Sequence, residues 1–257
     1  MRISHKASLL AVCIGVLGIG SGVRAIAMTP PQPSIVAQTR TAQTPATDSD
    51  KINTPADATN EAGERDREVQ DTQVPTALTN VGSYGETAYD MAKVGDWTKA
   101  SANLSLLQKA ARSLPSEIDR QSVAQLNGTI ANLSGSITTK NQFNALRQAN
   151  QVTLIAANMT KEFQPKVPVQ VTLLDYYGRE FEIWSANGNA AQLQTTANEF
   201  RQTWNTLRPA VQARNSAEAK TFDGVVAQIQ AAKSPAQYGR LATPVLNAVD
   251  NLEKVFK

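Results

Sequence analysis

Val123, Leu126, Ile130, Leu133 and Ile137 follow one another at alternating spacings of three and four. That interval returns a side chain to the same face of an α-helix about every turn and is incompatible with the two-residue period of a strand. The same interval governs the chain from Pro75 to its end. Trp97, Ala100, Leu104, Leu107 and Ala111 form one stripe, Ala145, Ala149, Val152 and Ala156 another, and Leu193, Ala197, Phe200, Trp204, Leu207 and Val211 a third. The longest β-branched alternation is Val167-Pro168-Val169-Gln170-Val171, and proline in and beside it makes a poor strand. The fold class this predicts is all-α.

Turn chemistry divides the pattern. Gly95-Asp96, Pro115-Ser116, Gln164-Pro165-Lys166 and Asn187-Gly188-Asn189 each end one helical stretch. Asn215-Ser216-Ala217-Glu218 has the form of a capping box. Ser234-Pro235 predicts a short helical turn and Thr243-Pro244 the start of a last helix, with proline in the first helical position. Pro209 predicts a kink or an early end of the helix that contains it.

The pattern also repeats. A step of 93 positions carries Tyr84-Gly85 to Tyr177-Gly178, Gly95-Asp96 to Gly188-Asn189, and Leu114 to Leu207. At a step of 96, Leu126, Gly128, Ile130 and Leu133 fall on Phe222, Gly224, Val226 and Ile229. Gln142, Phe143 and Leu146 fall on Gln237, Tyr238 and Leu241 at a step of 95. The expectation is a tandem duplication of an antiparallel four-helix unit, 76–165 followed by 166–257. The two units form either two up-down bundles or one merged helical array. The glycines at matched places are expected to let neighbouring helices approach closely.

Residues 1–27 have the form of a secretory signal: Arg2 and Lys6, an apolar run from Ser8 to Gly20, then small residues. The run is shorter than the roughly 20 residues a membrane span needs. Residues 28–75 hold Pro30, Pro31, Pro33, Pro45 and Pro55 among Thr, Gln, Ala and Asp, and are expected to be a disordered, acidic linker. Cleavage of the signal changes the charge argument. The whole chain has 25 basic and 22 acidic residues, but Arg2, Lys6 and Arg24 leave with the signal. The mature chain is then balanced, which gives no support to a nucleic-acid partner. Cys13 and His5, the single Cys and single His, leave as well. Disulfides, His- or Cys-held metals and cofactors, and Ser-His or Cys-His catalysis are thereby excluded from the mature chain.

One stretch concentrates the aromatic and charged side chains: Tyr176-Tyr177-Gly178-Arg179-Glu180-Phe181-Glu182-Ile183-Trp184. Tyr177, Phe181 and Trp184 have the spacing of core residues, and Asp175 with Arg179 that of a helix ion pair. The alternative is a ligand pocket with Tyr176, Arg179, Glu180 and Trp184 on its wall, suited to an anionic or sugar-like ligand. No catalytic set, metal site or cofactor site is expected. The function expected is that of an exported, non-enzymatic helical-bundle protein, periplasmic or extracellular, or tethered by an uncleaved signal. Its role would be interaction or scaffolding with a protein partner or a membrane-peripheral assembly of a bacterial envelope. The second expectation is a periplasmic small-ligand-binding protein centred on Tyr176–Trp184.

Overall fold

The computed structural model describes residues 74–257. The expected signal, and all but the last two residues of the expected linker, lie outside the described residues. The described chain is eight α-helices without strands: α1 (Thr76–Lys93), α2 (Trp97–Arg112), α3 (Arg120–Thr138), α4 (Gln142–Thr160), α5 (Val169–Asn187), α6 (Ala190–Arg214), α7 (Ser216–Ala231) and α8 (Pro235–Phe256).

Short polar side chains start the helices. Asp96, Asp119, Asn141, Asn189 and Asn215 each accept the backbone N–H three residues on, at 2.7–3.1 Å. Each bond satisfies one of the orphan donors of a first turn, worth about 1 kcal/mol. Three of these caps follow a left-handed residue, Gly95 at φ 74°, Lys140 at φ 53° and Gly188 at φ 72°, and the matched turns at Gly95 and Gly188 are alike in backbone as well as in sequence. At Asn215 only half of the expected capping box forms. Its side chain takes the Glu218 N–H, but its own N–H goes to Val211 O at 2.7 Å. A reciprocal acceptor works instead at α8, where Gln237 Oε1 takes the N–H groups of Lys233 and Ser234.

At two prolines the helix does not stop. α6 runs through Pro209 to Arg214, and α8 is one helix from Pro235 to Phe256 with Pro244 inside it, not a short turn followed by a new helix. Both prolines are on the exposed side of their helices. The carbonyls they leave without a partner can be hydrated there. The buried stripes, meanwhile, continue unbroken past them: Leu207 to Val211, and Ala242 through Val245 to Val249 and Leu252. Burying each such side chain is worth about 1.5–3 kcal/mol, enough together to offset the roughly 3 kcal/mol of an interior proline.

α1 packs on α2 and α4, and α3 on α2 and α4, closing a ring of four; α5 to α8 close a second ring in the same order. The tightest pairs occupy the same place in each ring, α1 with α4 and α5 with α8, and a matched glycine sits in each. A Cβ on Gly85 would lie 3.0 Å from Val152 Cγ1 and 3.3 Å from the Ala149 carbonyl oxygen; one on Gly178 would lie 2.7 Å from Leu246 Cδ2. The other matched glycines do not share this role: a Cβ on Gly128 or Gly224 would meet nothing within 4 Å. They lie on open faces, and the expectation of close helix approach is corrected there.

Each ring has its own core. The first is largely aliphatic and alanine-rich, with Tyr89 as its large aromatic. The second is aromatic: Phe181 stacks on Tyr238 and meets Phe200 edge-on, both at 5.6 Å, and Trp204 lies 4.5 Å from Phe222. Trp204 is fully buried, while Trp97 is only half-buried against the first core. The α4–α5 face joins the rings. There Ile183 of α5 enters the first core, and Trp184 packs against both.

Candidate functional site

α5 carries two buried stripes. Val171, Leu174, Gly178 and Phe181 face the second core, whereas Arg179, Glu180 and Ile183 turn toward the first ring. α4 is built the same way, with Asn150, Thr153 and Ala157 forming a second buried stripe beside Ala145, Ala149, Val152 and Ala156. The α4–α5 face lies where these second stripes meet, and it holds most of the buried polar side chains of the described chain.

Glu180 is buried at the centre. It accepts the Asn150 amide at 2.8 Å on Oε1 and the Trp184 indole N–H at 2.5 Å on Oε2. The same Asn150 amide reaches the backbone oxygen of Tyr176 at 3.1 Å. The Trp184 ring is covered by the Arg147 guanidinium at 5.2 Å and met edge-on by Phe143 at 5.6 Å. Burial raises the Glu180 pKa, against the pull of its two hydrogen bonds and of the Arg147 charge.

A second network lies along α1. The Arg179 guanidinium stands over the Tyr89 ring at 5.0 Å, and its Nε is 3.0 Å from Asp175 Oδ2. That approach is close for an ion pair but does not align an N–H on the oxygen, so Asp175 Oδ2 and Arg179 Nη1 are buried without a hydrogen bond among the described residues. Tyr89 donates to Glu182 Oε2 at 2.9 Å, and Lys93 meets Glu182 Oε1 at 2.6 Å. Burial and the Glu182 carboxylate both push the Tyr89 hydroxyl well above the ordinary phenol range. Asp175 is raised by burial, with the Arg179 charge opposing. Glu86 is pushed up to about 7, chiefly by burial and then by the carboxylates near it.

All four residues expected to line a pocket therefore lie at this junction, but in different roles. Glu180 and Trp184 are bonded to each other and to α4, and Arg179 is engaged with Asp175 and Tyr89. Tyr176 contributes its carbonyl to Asn150 and its ring, edge-on, to Tyr177 at 5.1 Å. Their partners on α1 and α4 had one legible signal: the second stripe of α4, where Asn150 and Thr153 interrupt small apolar residues at helical spacing. Nothing marked Glu86, Tyr89 or Lys93 as junction residues. Two grooves of about 350 and 370 Å³ flank the network, and other residues line them, among them Gln142, Phe143 and Glu182 in one and Gly82, Glu86 and Thr153 in the other.

Among the described residues no three His, Cys, Asp or Glu side chains are placed to hold a metal ion, and no helix is long and apolar enough to cross a membrane. The chain matches no family model, no curated protein and no solved structure.

Proposed function

We propose that this protein is an exported, non-enzymatic interaction protein of a bacterial envelope, in which a double helical ring acts as a stiff spacer between the sites that partners grip. One observation supports the reading above others: the aromatic and charged side chains that could have formed an open binding wall are engaged in joining α5 to α1 and α4. A junction fixed by directional bonds and a shared tryptophan resists hinge motion in a way that apolar contact alone does not. The signal-like residues 1–27 support export, and the Pro- and acid-rich stretch that follows is the kind of arm that reaches a partner at low structural cost.

The test is recovery of C-terminally tagged protein from its native cells after mild crosslinking, with soluble and membrane fractions separated. One stoichiometric partner complex is expected, weakened when residues 28–73 are removed while the helical content of the body is unchanged. A lone soluble protein in both preparations overturns the proposal.

A further inference from the structure

α1, α4, α5 and α8 leave a groove of about 370 Å³ between them, within the range of small-molecule sites. Its wall is mixed. Gly82, Ala156, Ala157 and Val169 give an apolar lining, and Glu86 of α1 and Glu253 of α8 bring carboxylates to it. Thr153 also lines it, a fully buried residue whose hydroxyl has no hydrogen-bond partner among the described residues.

Three charged residues line this groove: Glu86, Glu253 and Lys257. Asp90, Asp175 and Glu253 are near enough to act on Glu86, and Asp250 acts on Asp175. Arg179, over Tyr89, opposes them at Glu86, and Lys257 Nζ is 2.7 Å from Glu253 Oε2. The carboxylates do not converge on a point that could hold a metal ion. The two that line the groove, Glu86 of α1 and Glu253 of α8, stand on different helices beside one apolar lining, which suits an elongated cation whose charges are separated by methylene groups.

We infer that this groove binds a short aliphatic diamine or polyamine. One ammonium rests against Glu86 with the Thr153 hydroxyl as a further acceptor, the methylene chain lies along Gly82, Ala156 and Ala157, and a second ammonium faces Glu253. The Glu86 carboxyl, held up to about 7, supports this. An ammonium beside it favours the ionised form, so binding near neutrality releases a proton and tightens as pH rises.

Calorimetric titration of the mature chain with 1,5-diaminopentane, at about 0.15 M salt so that diffuse surface attraction is screened, tests this. One saturable site is expected, about tenfold tighter at pH 8 than at pH 6 from the ionised fraction of Glu86. Glu86→Gln should weaken binding at least about tenfold, as loss of a charge partner does, while Glu117→Gln, at an exposed position in the α2–α3 connector, should not change it. 1-Pentanol should give no saturable heat. Circular dichroism checks that the variants are folded; were Glu86→Gln to unfold, Glu253→Gln takes its place with the same expected direction. No saturable binding, equal binding by the folded variant, or displacement of the diamine by an equal concentration of Mg²⁺ overturns the inference.

Discussion

Tyr89 and Glu182 stand 93 positions apart, the interval that also relates Tyr84-Gly85 to Tyr177-Gly178, and they hydrogen-bond each other at 2.9 Å. Glu86 and Arg179, related by the same step, also act on each other. Matched positions of α1 and α5 thus face one another, the relation found at the axis of a two-fold interface, where each residue meets its own counterpart. The resemblance to two-fold packing is local, because α4 packs broadly on α5 while α8 has no comparable face on α1. Tyr89→Phe removes one hydrogen bond and leaves Glu182 its Lys93 partner, so a loss of about 1 kcal/mol is expected in urea unfolding. Glu182→Ala strands the buried Tyr89 hydroxyl and should cost more, about 1–3 kcal/mol. Variants of equal and negligible effect would show that this bond does not hold the rings together.

The Asn150–Glu180 bond predicts a pH-dependent loss. Glu180 is a carboxylate whose pKa burial has raised, and the Asn150 amide opposes that rise by favouring the ionised form. Asn150→Leu removes the opposition and raises the pKa further. A carboxylate with a raised folded-state pKa weakens the fold as pH climbs through the window between its unfolded and folded values. Asn150→Leu should therefore cost about 1–3 kcal/mol at pH 8 and clearly less at pH 5. Chemical denaturation at the two pH values measures the difference. An equal loss at both would assign the effect to packing rather than to charge.

The matched glycines allow a comparison in which helix propensity is held constant. Alanine gains about 1 kcal/mol over glycine inside a helix. At Gly128 a Cβ meets open space, so Gly128→Ala should stabilise by most of that amount. At Gly85 it meets Val152, Thr153 and the Ala149 backbone, and backbone cannot yield as a side chain can. Gly85→Ala should therefore lose about 1–3 kcal/mol net, the usual cost of overpacking. Gly178→Ala should fall between the two, since its closest neighbour is the tip of half-buried Leu246. Thermal unfolding of the three variants would reveal the order, and a stabilised Gly85→Ala would refute the close-approach reading.

Helix number and caps were legible because they depend on short-range chemistry. Asp96, Asn189 and Asn215 announce helix starts without reference to anything distant, and the stripes of α2, α3 and α6 declare one buried face each. What failed was local chemistry that tertiary packing overrides. Pro209 and Pro244 look like breaks until their carbonyl partners are known to face solvent. Arg179 and Glu180 read as pocket residues, and Asn150 and Thr153 were not singled out, because a helix buried on two sides has no single polar face to read. Only the breadth of the stripes on α4 and α5 distinguishes the two helices at the centre from the six around them.

Glu86 should dominate the neutral-pH stability profile. Its carboxyl is raised by burial from 4.5 to about 7, with Asp175, Glu253 and Asp90 adding to the rise and Arg179 opposing it. The folded chain therefore holds a proton that the unfolded chain has already released, and stability falls as pH rises from about 4.5 to about 7, then levels. The shift corresponds to a loss on the order of 3 kcal/mol across that window. Asp175 and Glu180, also raised, add to the same slope. Glu86→Gln keeps the shape and removes the ionisation, so it should be the more stable protein at pH 8 and show a shallower profile, with the two curves converging near pH 5. Urea unfolding at intervals from pH 5 to 8 tests this directly. Parallel curves would mean that Glu86 ionises without penalty, through solvent access or a partner that relieves its burial.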